Sequence, residues 1–272
     1  MKKFVIKEEM ISNALRQAIN EMVDEDRTEN NDGTVEVDNF EAIGKLLDFK
    51  VPNDTIYFVK IVKRDKDNPG QKSKYGATKH LKEYYFEGLD EFKNSETEIK
   101  ELCKRENARA YIYMNARSKQ IIDKWTKINQ ARFDKHPTMK DRFDNNPKAL
   151  AAGRSFEDPS RPLCFVDVDS DDPKDIDMTL KIIDYCGIKP IYTYRSLNNG
   201  IHIILPDYRD AKKLEKHFTL INGDLSGMSK KVKMNAKVGM EIDKPVLLYA
   251  CLTPQGYGKQ QARFAKWTQG KI

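Results

Sequence analysis

The pattern of apolar and polar positions predicts two folded regions with a poorly patterned segment between them. Residues 1–133 alternate between helical spacing and short apolar runs, with strands predicted at 55–63 and 83–88, which is typical of an α/β subdomain. Residues 134–162 contain four prolines and few large apolar side chains, so we expect a linker or surface excursion there. Residues 163–272 form the second predicted subdomain.

The second subdomain has the more regular pattern. It predicts a strand, a helix, two strands joined by a short turn, another helix and a last strand, at 163–168, 174–186, 189–194, 201–205, 210–222 and 246–252. This βαββαβ order is that of ferredoxin-like and RNA-recognition-motif-like sheets, in which the second and third strands form a hairpin. Asn198-Asn199-Gly200 supplies the residues that such a turn requires. The predicted fold class is α+β.

Composition and cysteine usage limit the class of protein and its expected cellular location. The chain has 272 residues, of which 39% are hydrophobic, which is enough for a substantial core. Its four cysteines show no Cys-x-x-Cys spacing, and no stretch approaches the 18 apolar residues of a membrane helix. The N-terminus carries charged residues where a signal peptide would have its apolar segment. We therefore expect a cytoplasmic protein without a membrane partner.

The charge pattern favours polyanionic partners without identifying one. The net charge is +6, and basic residues are densest at 60–82, at 226–237 and at the C-terminus. Runs of this kind are most often solvated surfaces, so the charge alone does not establish nucleic-acid binding.

A strand ending in two carboxylates is the strongest chemical signal in the sequence. Leu163 to Asp169 is an apolar run interrupted by Asp167 and closed by Asp169. Because strand side chains alternate with period two, both carboxylates lie on one face, where they can bind a divalent metal. The Asp residues at 171 and 172 precede Pro173 and are better explained as helix-capping residues. The run does not fit an EF-hand, because position six holds no glycine and position twelve holds Met178.

Two further residues are expected near this pair. In the predicted topology the first strand lies beside the third, where His202 points away from Ile201 and Ile203 and toward the face of the carboxylates. A histidine on a strand is often structural, and both interpretations stay open. Asp243 precedes the apolar run at 246–249 and is a candidate third carboxylate.

In their order and spacing these motifs resemble the catalytic core of the archaeo-eukaryotic primase and primase-polymerase superfamily. The matching segments are Asp167-Val168-Asp169, Asn199-Gly200-Ile201-His202 and Asp243. The resemblance implies a metal-dependent nucleotidyltransferase in which Asp167, Asp169 and Asp243 hold Mg²⁺ or Mn²⁺. It also implies that His202, Arg195, Ser196 and Asn199 contact the nucleotide. The implied partners are nucleoside triphosphates, single-stranded or primed nucleic acid, and replication proteins. The compact, lysine-rich and tyrosine-rich character of the chain suggests a phage or mobile-element setting.

The chain departs from the superfamily pattern after the third carboxylate. The superfamily places a basic residue on or just after the following strand, whereas here the nearest candidates are Lys259 and Arg263, further along the chain. Glu241 is an alternative to Asp243 as the third ligand. The zinc-binding cluster of primases is absent from the sequence, so chain extension and chain initiation both stay open.

A second candidate surface lies in the first subdomain. Residues 108–118 place Arg109, Tyr111 and Tyr113 on one face of a predicted strand, followed by Asn115 and Arg117 at a strand-to-helix turn. Arginines interleaved with aromatic residues suit a nucleotide or single-stranded nucleic acid, and a helix N-terminus suits phosphate. The alternative is an ordinary half-exposed strand.

Two other functional classes compete with the nucleotidyltransferase. Haloacid-dehalogenase-like phosphatases also begin with a strand and Asp-x-Asp, with Asp167 as nucleophile and Asp169 as general acid, but their later motifs have no counterpart here. The other alternative is a non-catalytic nucleic-acid- or nucleotide-binding module that uses Tyr192 and Tyr194 on its sheet. Binding by such a module survives the loss of both carboxylates.

Overall fold

The computed structural model shows a mixed α+β protein built on two antiparallel sheets. It describes residues 27–29, 33–70, 78–136, 147–152, 162–169, 173–195, 201–209, 213–214, 237–242 and 245–253. These residues divide into two compact units, one within 161–244 and the other within 26–160 and 245–259. We call them the four-stranded unit and the six-stranded unit after their sheets.

The described part of the chain contains the following strands and helices. The strands are β1 (Arg27–Glu29), β2 (Val35–Asp38), β3 (Thr55–Arg64), β4 (Thr78–Phe86), β5 (Arg109–Ser118), β6 (Cys164–Asp169), β7 (Tyr192–Arg195), β8 (Ile201–Leu205), β9 (Lys237–Ile242) and β10 (Val246–Leu252). The helices are α1 (Phe40–Gly44), α2 (Leu89–Asn94), α3 (Glu96–Glu106), α4 (Lys119–Lys135), α5 (Pro147–Ala152) and α6 (Pro173–Tyr185).

The six-stranded sheet has the order β1-β2-β10-β5-β3-β4 and side chains buried on both faces. On one face Phe92 of α2 packs edge-on against Phe86 of β4, with ring centroids 5.4 Å apart, and α3 buries Ile99. On the other face Phe58 of β3 forms a core with Ile122 of α4 and the alanines of α5. Because β10 and the first half of β3 are buried on both faces, their sequences show no alternation of apolar and charged residues.

The four-stranded sheet has the order β7-β8-β6-β9, and each neighbouring pair is antiparallel. Its apolar face packs against α6, where Leu180 and Ile183 contact the core formed by the alternate residues of β6 and β8. Burying those residues provides the hydrophobic driving force for this unit. The same alternation directs Asp167 and His202 to the opposite face.

The structure corrects two predictions about chain organisation. β10 is not the last strand of the second sheet but a central strand of the six-stranded sheet, between β2 and β5. The fourth strand next to β6 is instead β9, which the sequence pattern did not reveal. The predicted linker 134–162 also contains α5, whose Ala149, Ala151 and Ala152 are buried. Small side chains allow that short helix to approach the sheet closely, which explains why the segment lacked a strong apolar pattern.

Several other predicted elements are confirmed. Strands occur at β3, β4 and β5, although β4 begins at Thr78, earlier than predicted. The pairing of β7 with β8 confirms the predicted hairpin. The predicted turn 198–200 and most of the helix predicted at 210–222 lie outside the described residues. Within the described part of the chain, no helix combines the length and apolarity needed to cross a membrane.

We expect the four cysteines to differ sharply in reactivity. Burial raises the pKa of Cys103 and of Cys164 to about 12, so both are protonated thiols at neutral pH, whereas Cys186 and Cys251 are partly exposed. Labelling of the native protein with a disulfide reagent near neutral pH should modify Cys186 and Cys251 first, and peptide mapping identifies the sites. In denaturant all four should react. Equal rates for the four thiols in the native protein would contradict this burial.

Candidate active site

The candidate site lies on the face of the four-stranded sheet opposite α6. Asp167 of β6 is in direct register with His202 of β8. Their neighbours Val166, Val168 and Ile203 point to the other face and are buried in the core. The hydrophobic pattern that fixes the register of this sheet therefore also fixes the two polar side chains opposite one another.

The two side chains are in contact. The Nε2 atom of His202 lies 2.9 Å from the Oδ1 atom of Asp167, a distance at which they form an ion pair when the imidazole is protonated. The side chains are 18% and 19% exposed, so the pair is largely removed from water but still accessible from one side. The imidazole therefore lies directly against the Asp167 carboxylate and limits the orientations that the carboxylate can adopt.

A glycine borders Asp167 on its other side. Gly239 of β9 is the register partner of Asp167, and it has no side chain. Glycine within a strand weakens the strand, and one common reason for its presence is the close approach of a ligand or another backbone. Together, Asp167, His202 and Gly239 form a row across three strands, in which one register partner of the carboxylate is a histidine and the other is a residue without a side chain.

Asp169 occupies the next position on the same face of β6. It ends the strand and is in register with Lys237 of β9. Arg195 ends β7 and is in register with Ile201. Asp169 therefore lies two positions from Asp167 along β6, and Arg195 lies in the strand beyond β8.

The other predicted site residues of the second subdomain lie outside the described part of the chain. They are Ser196, Asn199, Asp243, Lys259 and Arg263. Among the described residues, no group of three or more His, Cys, Asp or Glu side chains is arranged to hold a metal ion. The predicted three-carboxylate site includes Asp243 and the side chain of Asp169, and it stays a prediction.

The predicted binding residues of the six-stranded unit are buried and have partners within the protein. Arg109 is 3% exposed and forms a bidentate ion pair with Asp67, with Nε–Oδ2 and Nη2–Oδ1 distances of 2.7 and 2.5 Å. Arg117 is fully buried, and its guanidinium donates to the backbone carbonyls of Asn115 and Ala152. Asn115 is itself 7% exposed. This geometry favours a structural role for all three, and we do not include them in the candidate site.

Sequence reasoning missed Asp67 and Gly239. Asp67 lies in the basic segment after β3, and its separation of 42 residues from Arg109 gave no signal of pairing. Gly239 carried a signal, since an isolated glycine between Val238 and Met240 suggests a strand with a close approach. The fully apolar run of β10 outweighed that signal in the assignment of the last strand.

No protein-family model, curated protein or solved structure matches this chain. The functional interpretation therefore rests on the residues and geometry described above.

Proposed function

We propose that this chain is a metal-dependent nucleotidyltransferase of the primase-polymerase type, which transfers nucleotides from nucleoside triphosphates to a nucleic-acid chain. The observation that carries the proposal is the contact of Asp167 with His202 in direct register, on the face of the four-stranded sheet opposite α6. The strand order β7-β8-β6-β9, with a β7–β8 hairpin, supports assignment of this unit to the ferredoxin-like class. In a fold of this class, the two motifs that resemble the superfamily, Asp167-Val168-Asp169 and the segment that ends in His202, would lie on adjacent strands.

The donor set fits a hard divalent cation. Carboxylate oxygens are the ligands that Mg²⁺ and Mn²⁺ prefer, and the register partner of Asp167 on β9 is Gly239, which contributes no side chain of its own. Asp167 and Asp169, with Asp243 or Glu241 as the third carboxylate, would hold the ions. Bound ions would supply Lewis-acid chemistry, activating a hydroxyl and neutralising phosphate oxygens.

The residues of the chain have separate roles in this proposal. Asp167 provides negative charge that is oriented before any ligand arrives, because the Nε2 atom of His202 contacts one of its oxygens. His202 acts through that contact, as a positioning residue for Asp167. Arg195 at the end of β7, together with Lys259 and Arg263, would supply positive charge for the triphosphate.

The strand directions count against the phosphatase alternative. β6 is antiparallel to both neighbours, β8 and β9. A site at the carboxyl end of a strand in an open α/β sheet depends on parallel neighbours whose ends converge at one edge. The non-catalytic alternative predicts the same fold, and only an activity measurement separates it from the enzyme.

The test is incorporation of labelled nucleotides by the purified protein on primed and unprimed single-stranded templates. We expect incorporation with Mg²⁺ or Mn²⁺, its loss in chelator and its recovery when the metal is restored, because the carboxylates require the cation. Products longer than the primer indicate extension, and products without a primer indicate initiation. Nucleic-acid binding without incorporation under any of these metal conditions would contradict the enzyme proposal and favour the binding module.

A further inference from the structure

One hairpin has the same net charge as the whole protein. Residues 60–82, which comprise the second half of β3, the connecting segment and the first half of β4, contain eight Lys or Arg and two Asp, a net charge of +6. The whole chain has 48 Lys or Arg, 42 Asp or Glu and the same net charge of +6, so the rest of the chain is neutral. The basic residues of this hairpin are Lys60, Lys63, Arg64, Lys66, Lys72, Lys74, Lys79 and Lys82.

The register of the hairpin places like charges opposite each other. Lys63 of β3 is paired directly with Lys79 of β4. Side chains in such a pair have Cβ atoms about 4.5–5.5 Å apart, and like charges there destabilise the sheet. Within the described part of the chain, no carboxylate is within ion-pair distance of Lys63 or Lys79. The fold thus retains a local electrostatic cost.

The neighbouring groups do not remove this positive charge. Arg64, next to Lys63, directs its Nη1 atom to the Tyr111 hydroxyl at 3.3 Å, and no described carboxylate pairs with it. The segment has two acids: Asp67 is buried in its ion pair with Arg109, and Asp65, next to Arg64, is not within ion-pair distance of Lys63, Arg64 or Lys79. In contrast, Lys82, further along β4, forms an ion pair with Glu98. Among the described residues, Lys63, Arg64 and Lys79 therefore have no carboxylate partner; they lie where β3 ends and β4 begins, which we call the distal end of the hairpin, and β4 is an edge strand of the six-stranded sheet.

We propose that the distal end of the β3–β4 hairpin binds the phosphate backbone of a nucleic acid. Because side chains alternate along a strand, Lys63 and Arg64 lie on opposite faces of the sheet, so cations are presented on both sides of this end. A chain of phosphates would neutralise Lys63 and Lys79 together and remove their repulsion, with release of counterions. The inference rests on the proposed function for the choice of nucleic acid among polyanions. The binding itself needs neither metal nor the candidate active site.

The test is the affinity of the full chain for a labelled oligothymidylate, measured by fluorescence anisotropy without metal or nucleotide over a range of salt concentrations. We expect the triple variant Lys63→Gln/Arg64→Gln/Lys79→Gln to bind roughly a hundredfold more weakly at about 0.1 M salt. The slope of log affinity against log salt should decrease by about 2, which is the loss of three phosphate contacts on a single strand.

The matched control removes the same number of charges elsewhere in the same unit. Lys93 on α2 and Lys124 and Lys127 on α4 are exposed. The variant Lys93→Gln/Lys124→Gln/Lys127→Gln should keep the affinity and the salt slope of the parent protein. Equal losses in the two triple variants would show that only total charge matters and would overturn the proposal. An unchanged affinity in the hairpin variant, or no binding by the parent protein, would overturn it as well.

A single substitution separates binding from folding. Lys79→Glu places opposite charges across the hairpin, so we expect an equal or higher unfolding temperature together with weaker oligonucleotide binding. A parallel loss of stability and binding would indicate a structural role and overturn the proposal. Competition of the oligonucleotide by vesicles of phosphatidylcholine and phosphatidylserine at equal charge would also overturn it. The binding assay contains neither metal nor nucleotide and the incorporation assay requires both, so failure of this inference is distinguishable from failure of the enzyme proposal.

Discussion

Replacing Asp167 with Asn should lower nucleotide incorporation by about a thousandfold or more. Asn preserves the size of the side chain and one oxygen, but it removes the negative charge that would hold a divalent cation. Metal ions stabilise the charge of a transition state by several kcal/mol, and each 1.36 kcal/mol corresponds to about a tenfold change in rate. The loss should appear in incorporation at saturating metal and nucleotide, and oligonucleotide binding should be retained.

The control for this change is Asp184→Asn. Asp184 is an exposed carboxylate at the end of α6 in the same unit, so the substitution makes the same chemical change away from the candidate site. It should leave incorporation unchanged. If Asp167→Asn retained the activity of the parent protein, the incorporation would come from another site or from a contaminating polymerase.

His202 offers a finer test of the same geometry. We expect His202→Ala to lower incorporation by about 10- to 100-fold, the usual cost of losing a group that orients a metal ligand. Because His202 acts through Asp167, the alanine substitution should cost little more in the Asp167→Asn background than Asp167→Asn costs alone. Independent, multiplicative losses would show that His202 contacts the substrate directly and would contradict the positioning role.

The juxtaposition of Asp167 and His202 could be predicted because it depends on short-range rules. Strand alternation fixes which residues of β6 and β8 share a face, and the apolar residues between them fix which face is buried. The pairing of β6 with β8 then follows from the predicted hairpin topology. Each step uses information that lies within a few residues of the site.

The assignment of the last strand failed because one apolar run fits two locations. β10 is apolar along its entire length, a pattern that marks burial on both faces but does not specify the sheet. β9 contains Lys237, Gly239 and Glu241 and has a weak strand signal. The choice between them is made by packing between distant parts of the chain, since β10 joins β2 and β5.

The roles of Arg109 and Arg117 could not be derived from the sequence for a similar reason. An alternation of arginine and tyrosine on a strand is typical of an exposed face that binds nucleic acid. Here the partners are Asp67, before the strand, and the carbonyl of Ala152, after it. A buried guanidinium requires such partners, because an unpaired buried charge is strongly unfavourable, but their identity emerges only in the folded chain.

The buried Asp67–Arg109 pair leads to the largest expected change in stability. Both side chains are nearly inaccessible, and Asp67→Ala leaves the Arg109 cation buried without its carboxylate. Removing one partner of a buried pair typically costs about 3–5 kcal/mol, so the free energy of unfolding should decrease by that amount. The exposed pair Glu87–Lys119 provides the control, since Glu87→Ala should cost less than about 1 kcal/mol.

The measurement must report on the six-stranded unit alone, because a chain with two units need not unfold in one step. Trp125 of α4 packs against the core of that unit, and the other tryptophan of the chain is Trp267. In a Trp267→Phe background, urea unfolding followed by tryptophan fluorescence therefore reports on the required unit.

A second substitution distinguishes the ion pair from the turn that contains Asp67. Replacing both partners, as Asp67→Ala/Arg109→Met, removes the buried cation that Asp67→Ala leaves without a carboxylate. Replacement of a buried ion pair by apolar residues is often tolerated. We therefore expect the double variant to recover most of the stability that Asp67→Ala loses. A double variant no more stable than the single one would instead assign the loss to the turn around Asp67, which Asn107 also binds through the Asp67 carbonyl. Recovery of stability with unchanged oligonucleotide binding would establish that Arg109 serves the fold, because a residue that bound nucleic acid could not be replaced by methionine without a loss of affinity.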